Sequence, residues 1–199
     1  MANHAALRSQ NDAALARGLP YVTRQDGWEE VHSEHGVTTW VNKADQVGKV
    51  HGTVNKAPEF VLKFIVGHME TLRQKYNKVA VSTEIIHRFE EDKSLVIKAV
   101  NNYPAAGEVT IYEYGTIRPG ADGAVDLVVN SPDLPEYPRG FSWLGFQIGR
   151  IEPVEGGSRL TIVSHPETTL ELTDEQRHGV ALQLAHFYSN CAAELNAAA

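Results

Sequence analysis

The stretch "YPRGFSWLGFQIGRIEPVEGGSRLTIVSHP" (137–166) limits the fold of this chain more than any other. Successive side chains of a strand point to opposite faces. Ser142, Leu144, Phe146 and Ile148 therefore share one face, and Phe141, Trp143, Gly145, Gln147 and Gly149 the other. Neither face is polar through Phe146, so this strand needs a layer on each side. "EGG" (155–157) supplies a turn, and a second apolar strand follows over 158–165.

The rest of the chain can be read around that pair. Residues 3–17 form a short amphipathic helix with Leu7, Ala14 and Leu15 on its packing side, ended by Gly18 and Pro20. Three short strands follow at 28–32, 37–42 and 47–54. Pro58 opens a helix in which Phe60, Val61, Phe64, Ile65, Met69 and Leu72 recur at helical spacing, with Gly67 as a point of kinking or division. From Val79 the period becomes strand-like, through segments at 79–90, 94–102, 108–117, 124–130, 139–152 and 158–165. Thr173-Asp174-Glu175-Gln176 is a capping box. It opens a long helix striped by Val180, Leu184, Phe187, Cys191 and Leu195 and widened by Ala181, Tyr188 and Ala192. The fold class is thus α+β: an antiparallel sheet of about nine strands, which tends to curl, gripping a C-terminal helix whose apolar face must be covered.

Composition excludes several function classes. The net charge of −7 comes without a Lys/Arg block, which argues against nucleic acid. A single cysteine, Cys191, rules out an intrachain disulfide framework and fits a reducing compartment. The N-terminus lacks a secretory apolar core and no run of about 18 apolar residues occurs, so the expected setting is cytoplasmic.

Several stretches, in order, resemble the StAR-related lipid transfer (START) domain family. "GWEE…HGVTTW" (Gly27–Trp40) is similar to its opening strands, and "KVHGTV…AP" (Lys49–Pro58) to its Lys-Val-x-Gly strand before a proline-started helix. "RQKYN" (Arg73–Asn77) resembles its Arg-x-x-Trp-Asp/Asn, with Tyr76 in the Trp place. "LVVNSPDLPEYPRG" (Leu127–Gly140) and "GRIEPVEGGSRLTIV" (Gly149–Val163) resemble its later strand, loop and hairpin. The resemblance runs from about Asp26 to Leu195, so residues 1–20 read as an extension and 21–199 as the START-like domain. It implies the helix-grip fold and one lipid, of the sterol or phospholipid class, in a tunnel under the C-terminal helix, transferred or sensed.

Two departures bear on that implication. "GEVTIYEY" (Gly107–Tyr114) stands where the family has Arg-Asp-Phe-Val-x-x-Arg, so its second arginine falls on Glu113 or Tyr114. The acidic partner expected on the preceding strand lies near Lys98, making a charge-swapped Lys98–Glu113 pair one reading and two solvent-facing charges the other. "SHPETTLEL" (Ser164–Leu172) departs from the family's Asp…Gly…Pro run before the last helix.

The ligand-binding candidates are Lys98, Tyr112, Glu113, Tyr114, Trp143, Leu184, Phe187 and Tyr188. Facing inward, the phenols of Tyr112 and Tyr114 offer hydrogen bonds to a head group; facing outward, they are ordinary strand residues. Helix-grip relatives include polyketide cyclases and aromatases, and Tyr112, Glu113 and Tyr114 carry that rival reading. No catalytic pair, cofactor motif or metal set emerges from spacing alone. His32 and His35 in "HSEH" have no evident partner, and His178 and His186 are two helical turns apart, too far for one ion. The expected partners are a lipid ligand and, transiently, a membrane surface, with the protein as a monomer. The last helix and the loops 101–107 and 131–138 are the parts expected to open.

Overall fold

The computed structural model describes residues 3–104 and 106–198. Its nine strands are β1 (Glu29–Glu34), β2 (Val37–Asn42), β3 (Val47–Val54), β4 (Ala80–Phe89), β5 (Ser94–Tyr103), β6 (Gly107–Pro119), β7 (Val125–Asn130), β8 (Ser142–Val154) and β9 (Gly157–Thr168). The helices are α1 (His4–Thr23), α2 (Pro58–Tyr76) and α3 (Asp174–Ala197). One antiparallel sheet runs in the order β1-β2-β3-β9-β8-β7-β6-β5-β4. The chain builds two meanders, and β3 pairs with β9 to join them. The six-strand run and the capped final helix match the strand-period and capping-box readings, Thr173 and Gln176 capping reciprocally.

Side chains on the inner face of the sheet meet α2 and α3, and those on the outer face meet α1. Val50, Ile151, Leu160 and Val61 of α2 pack with Ala192 and Leu195 of α3 on the inner side. Val47, Val128, Ile148, Phe146 and Val163 pack with Ala14 and Val22 of α1 on the outer side. The two-sided apolar strand β8 is therefore covered on both faces, as its composition requires.

α1 does not stop at Gly18 and Pro20 but continues to Thr23. Gly18 is a close-approach residue, not a terminator. A Cβ there would lie 2.7 Å from both Ile148 and Phe146, so only glycine lets the helix press onto β8. Pro20 lies inside the last turn, and the helix runs three residues past it. Gly67 likewise neither kinks nor divides α2, which is continuous and exposes it.

α1 is docked by polar contacts as well as apolar ones. Asn11 is fully buried, yet its amide is satisfied: Nδ2 donates to Asn130 Oδ1 (2.9 Å) and Val128 O (3.2 Å), and Oδ1 accepts from Thr116 (2.7 Å) and Arg118 (2.9 Å). Two carboxylates clasp the ends of α1. Asp92 faces His4 (3.2 Å) and Arg8 (3.6 Å), and Glu167 faces Arg17 (2.8 Å). Burial works to raise both carboxyls, but it is outweighed. Ser94 hydrogen bonds with the charges of His4 and Arg8 hold Asp92 below its ordinary value, and hydrogen bonds from Arg17 and Trp143 do so for Glu167.

A group with a depressed folded pKa stabilises fully above its unfolded value, about 3.9 for Asp and 4.3 for Glu, and the contribution fades as pH falls through the folded value. Hydrogen exchange should therefore show α1 amides losing protection below about pH 4 while the sheet stays protected. Asp92→Asn with Glu167→Gln should remove that pH step. Protection of α1 that is flat with pH in the parent protein would contradict the clasp.

Candidate functional site: the inner face under α2 and α3

Strand register aligns Gly48, Ser164, Gln147, Val129, Gly115 and Leu95 in one row across the inner face. The next row is Val50, Ile162, Gly149, Leu127 and Ile117. The glycines leave a low floor. A Cβ at Gly48 would meet only Ser164, at 3.8 Å, and one at Gly115 only Leu95 and Val129, at 3.7 and 3.8 Å. No atom of α2 or α3 comes within 4 Å of either position, so sheet and helices stand apart there.

Polar groups gather above this floor. Arg73, near the end of α2, donates to the carboxylate of Glu113 on β6. Tyr188 of α3 donates to Gln147 Oε1 at 2.7 Å. Burial opposes the Arg73 charge, but Glu113 beside it prevails and holds the guanidinium more firmly protonated than usual. Burial pushes the Tyr188 phenol up, and pushes the nearby Cys191 thiol up to about 12, so both stay neutral. Arg73 keeps 20% of its side chain accessible beside a Glu113 carboxylate that is almost covered.

The α3 residues divide by helical position. Ala181, Ala185, Ser189, Ala192 and Leu195 are its buried centre, one step round from the stripe that hydropathy picks out. Gln183 reaches Asn77 at the end of α2 (3.0 Å), and Glu194 accepts from Tyr76. At 100° per residue, Leu184 and Cys191 fall on the arc between these two sets and Tyr188 at the near edge of the buried one, and Phe187 stacks edge-on against Tyr188 at 5.0 Å.

The other candidates lie elsewhere. Lys98 opposes Tyr112 in the ladder while Ile97 opposes Glu113, so Lys98 and Glu113 point to opposite faces and cannot pair. Lys98 meets Glu84 instead, at 3.6 Å. Lys98 and Tyr112 line an open groove of about 610 Å³ on the outer face with Ile86, Glu136 and Tyr137. Tyr114 is fully buried, also on the outer face, where its hydroxyl meets Ser94 (3.0 Å) and His4 (3.1 Å).

Trp143 is on the outer face too. A bulge at Gly145 shifts the β8–β9 register between Leu144 and Phe146, which reverses the alternation. Trp143 donates to Glu167 Oε2 at 2.8 Å and carries the Arg139 guanidinium over its ring. The loop 131–138, expected to open, meets α1 on the outer side. Gln10 of α1 pins it through both atoms of its amide, to Asp133 N (2.8 Å) and Asp133 O (3.3 Å).

Two inner residues escape a sequence reading. Arg73 was visible as part of "RQKYN", but nothing local says that it reaches Glu113. Gln147 falls on the wrong side of Trp143 unless the bulge is known.

The enzyme reading loses two of its three residues with Tyr112 and Tyr114 outside. A Glu91–His4–Ser94 relay does exist, with His4 Nδ1 at 3.0 Å from Glu91 and Nε2 at 3.3 Å from Ser94. Ser94 is 2% exposed and its hydroxyl donates to Asp92 at 2.6 Å, so it anchors α1 and no substrate carbonyl can reach it.

No family model and no curated protein sequence matches the chain significantly. Solved structures do match. Human StAR-related lipid transfer protein 5 superposes with a TM-score of 0.68 at 16% identity, over 92% of this chain and 98% of that one. Human STARD10 gives 0.64 at 16% identity, over 89% and 74%. A STAR-related lipid transfer protein from Xanthomonas axonopodis gives 0.64 at 14% identity, over 85% and 99%. The fold is the helix-grip of StAR-related lipid transfer domains.

Proposed function

We propose that this chain holds one lipid, of the sterol or phospholipid class, between the inner sheet face and α2 and α3, and transfers or senses it without chemistry on the ligand. The observation that carries the reading is a polar group of Arg73, Glu113, Gln147 and Tyr188, with Arg73 still partly accessible, over a glycine floor on the inner face. Burying an acyl chain or sterol there gains about 0.8 kcal/mol per methylene, which offsets leaving a bilayer. The Arg73–Glu113 pair has no net charge, so it fits a buried polar end that is itself neutral, such as a hydroxyl or ester. Release requires α3 to move, since it lies over the inner face of the sheet. No helix among the described residues is long and apolar enough to cross a membrane. The protein acts as a cytoplasmic monomer that touches membranes transiently.

The test is native mass spectrometry of protein purified from a eukaryotic lysate, followed by organic extraction. One intact lipid per chain is the expected result. An empty protein whose bound apolar dye resists displacement by sterols and phospholipids would overturn the reading and bring the enzyme alternative forward.

A further inference from the structure

The fold brings together three side chains that are far apart in sequence. His32 and Glu34 are two apart on β1, so strand alternation puts them on one face. His186 comes from the middle of α3. His32 Nε2 is 3.3 Å from Glu34 Oε2, and His186 Nδ1 is 3.9 Å from the same oxygen. The two imidazoles meet edge-on with centroids 4.8 Å apart. All three ligand atoms lie within 4.8 Å of one another. In the sequence His32 has no evident partner and His186 is weighed only against the distant His178.

We propose that His32, Glu34 and His186 form a binding site for a divalent transition-metal cation of the Zn²⁺ type, which ties α3 to β1. Two imidazole nitrogens and one carboxylate oxygen are a donor set for such ions and a poor one for Mg²⁺ or Ca²⁺, which take oxygen. Tetrahedral ligands at about 2.0–2.1 Å from Zn²⁺ stand roughly 3.4 Å apart. The His32–Glu34 separation already has that value, and His186 must close by about half an ångström on Glu34 and by up to about 1.4 Å on His32, within the reach of a side-chain rotation. Exposure of the three side chains, at 28%, 44% and 52%, leaves the fourth position to water.

The surroundings hold the ligands in place. Ser189, one turn beyond His186, is 1% exposed and donates to the Glu34 carbonyl at 3.1 Å, fixing α3 against β1. His35 stands beside the second Glu34 oxygen at 4.0 Å and meets Ser189 Oγ at 3.2 Å. The ion would therefore join two elements already in contact. Since α3 is one wall of the inner space, it would add a bond between that wall and the sheet edge.

The site requires no lipid, so its test is separate from that of the carrier reading. Tag-free protein is titrated with ZnCl₂ near neutral pH by calorimetry, because imidazoles must be neutral to ligate. One Zn²⁺ per chain is expected. His32→Ala and His186→Ala should each weaken binding by at least about 100-fold, since loss of even an outer partner of a ligand costs about 10–100-fold. His178→Ala, which removes an exposed histidine from the same helix, should leave it unchanged. Zn²⁺ should also slow hydrogen exchange across residues 182–190 and 29–34 in the parent protein but not in His186→Ala. Circular dichroism confirms that the surface variants fold. Absence of stoichiometric binding, or binding that survives both alanine variants, would overturn the proposal.

Discussion

A Gly149→Leu variant should fold at least as well as the parent and lose its lipid. Gly149 lies on the inner face of the central strand β8 and keeps accessible surface. A Cβ added there would make ordinary contacts, with Leu127 at 3.8 Å and Ile162 at 3.9 Å. Its φ is not in the left-handed region, so a side chain brings no backbone strain. Glycine inside a strand costs roughly 0.5–1 kcal/mol in backbone entropy, so its replacement should leave the unfolding midpoint unchanged or raise it. The four side-chain carbons occupy room otherwise open to ligand. Displacing three or four methylenes of ligand at about 0.8 kcal/mol each forfeits roughly 3 kcal/mol, or about 100-fold in affinity. Gly48→Leu should act in the same way from the far end of the same face. Gly157→Ala is the contrasting case, because its Cβ would lie 2.0 Å from the Val54 carbonyl oxygen and must disrupt the β3–β9 junction. Lipid occupancy by native mass spectrometry and thermal melts read both quantities. Full occupancy in both leucine variants would show that no ligand occupies this space.

The order of elements is legible in the sequence because each is marked by its own chemistry: Pro58 at a helix start, Thr173 and Gln176 as a cap, period-two alternation in the strands. What alternation cannot carry is its phase across an irregularity. One unpaired residue, Gly145, moves Trp143 to the outer face and sets Leu144, Gln147 and Gly149 inside. The same parity argument separates Lys98 from Glu113: a one-residue offset in the β5–β6 register decides the face, and only the hydrogen-bond ladder fixes that register. Gly18 and Pro20 look like a helix end until the sheet is present, since the need for glycine arises from Phe146 and Ile148. The cluster of His32, Glu34 and His186 leaves no local signal at all, because its members belong to the first strand and the last helix. Periodicity thus reports the elements, while the side chains that make the site depend on long-range register.

Replacing Glu113 alone should be among the most destabilising single changes on the inner face. Glu113 is 7% exposed and its carboxylate accepts from Arg73, whose guanidinium is held protonated. Glu113→Leu leaves that cation without a partner at depth, a situation that costs about 3–5 kcal/mol. Arg73→Met should cost a similar amount by stranding the carboxylate. The double variant Arg73→Met/Glu113→Leu should recover most of the loss, because exchanging a buried pair for apolar side chains of similar volume is often neutral or stabilising by about 1–4 kcal/mol. Urea unfolding of the four proteins gives the coupling directly. Lipid extraction from the double variant then separates two roles. If the pair only braces α2 against β6, the stable double variant retains the parent's lipid. If the pair receives the ligand's polar end, the double variant folds and binds an apolar dye, but it loses the parent lipid and selectivity between lipids of equal chain length. Arg73 keeps a fifth of its side chain accessible, which a brace does not need and a ligand contact does, so the second outcome is the expected one.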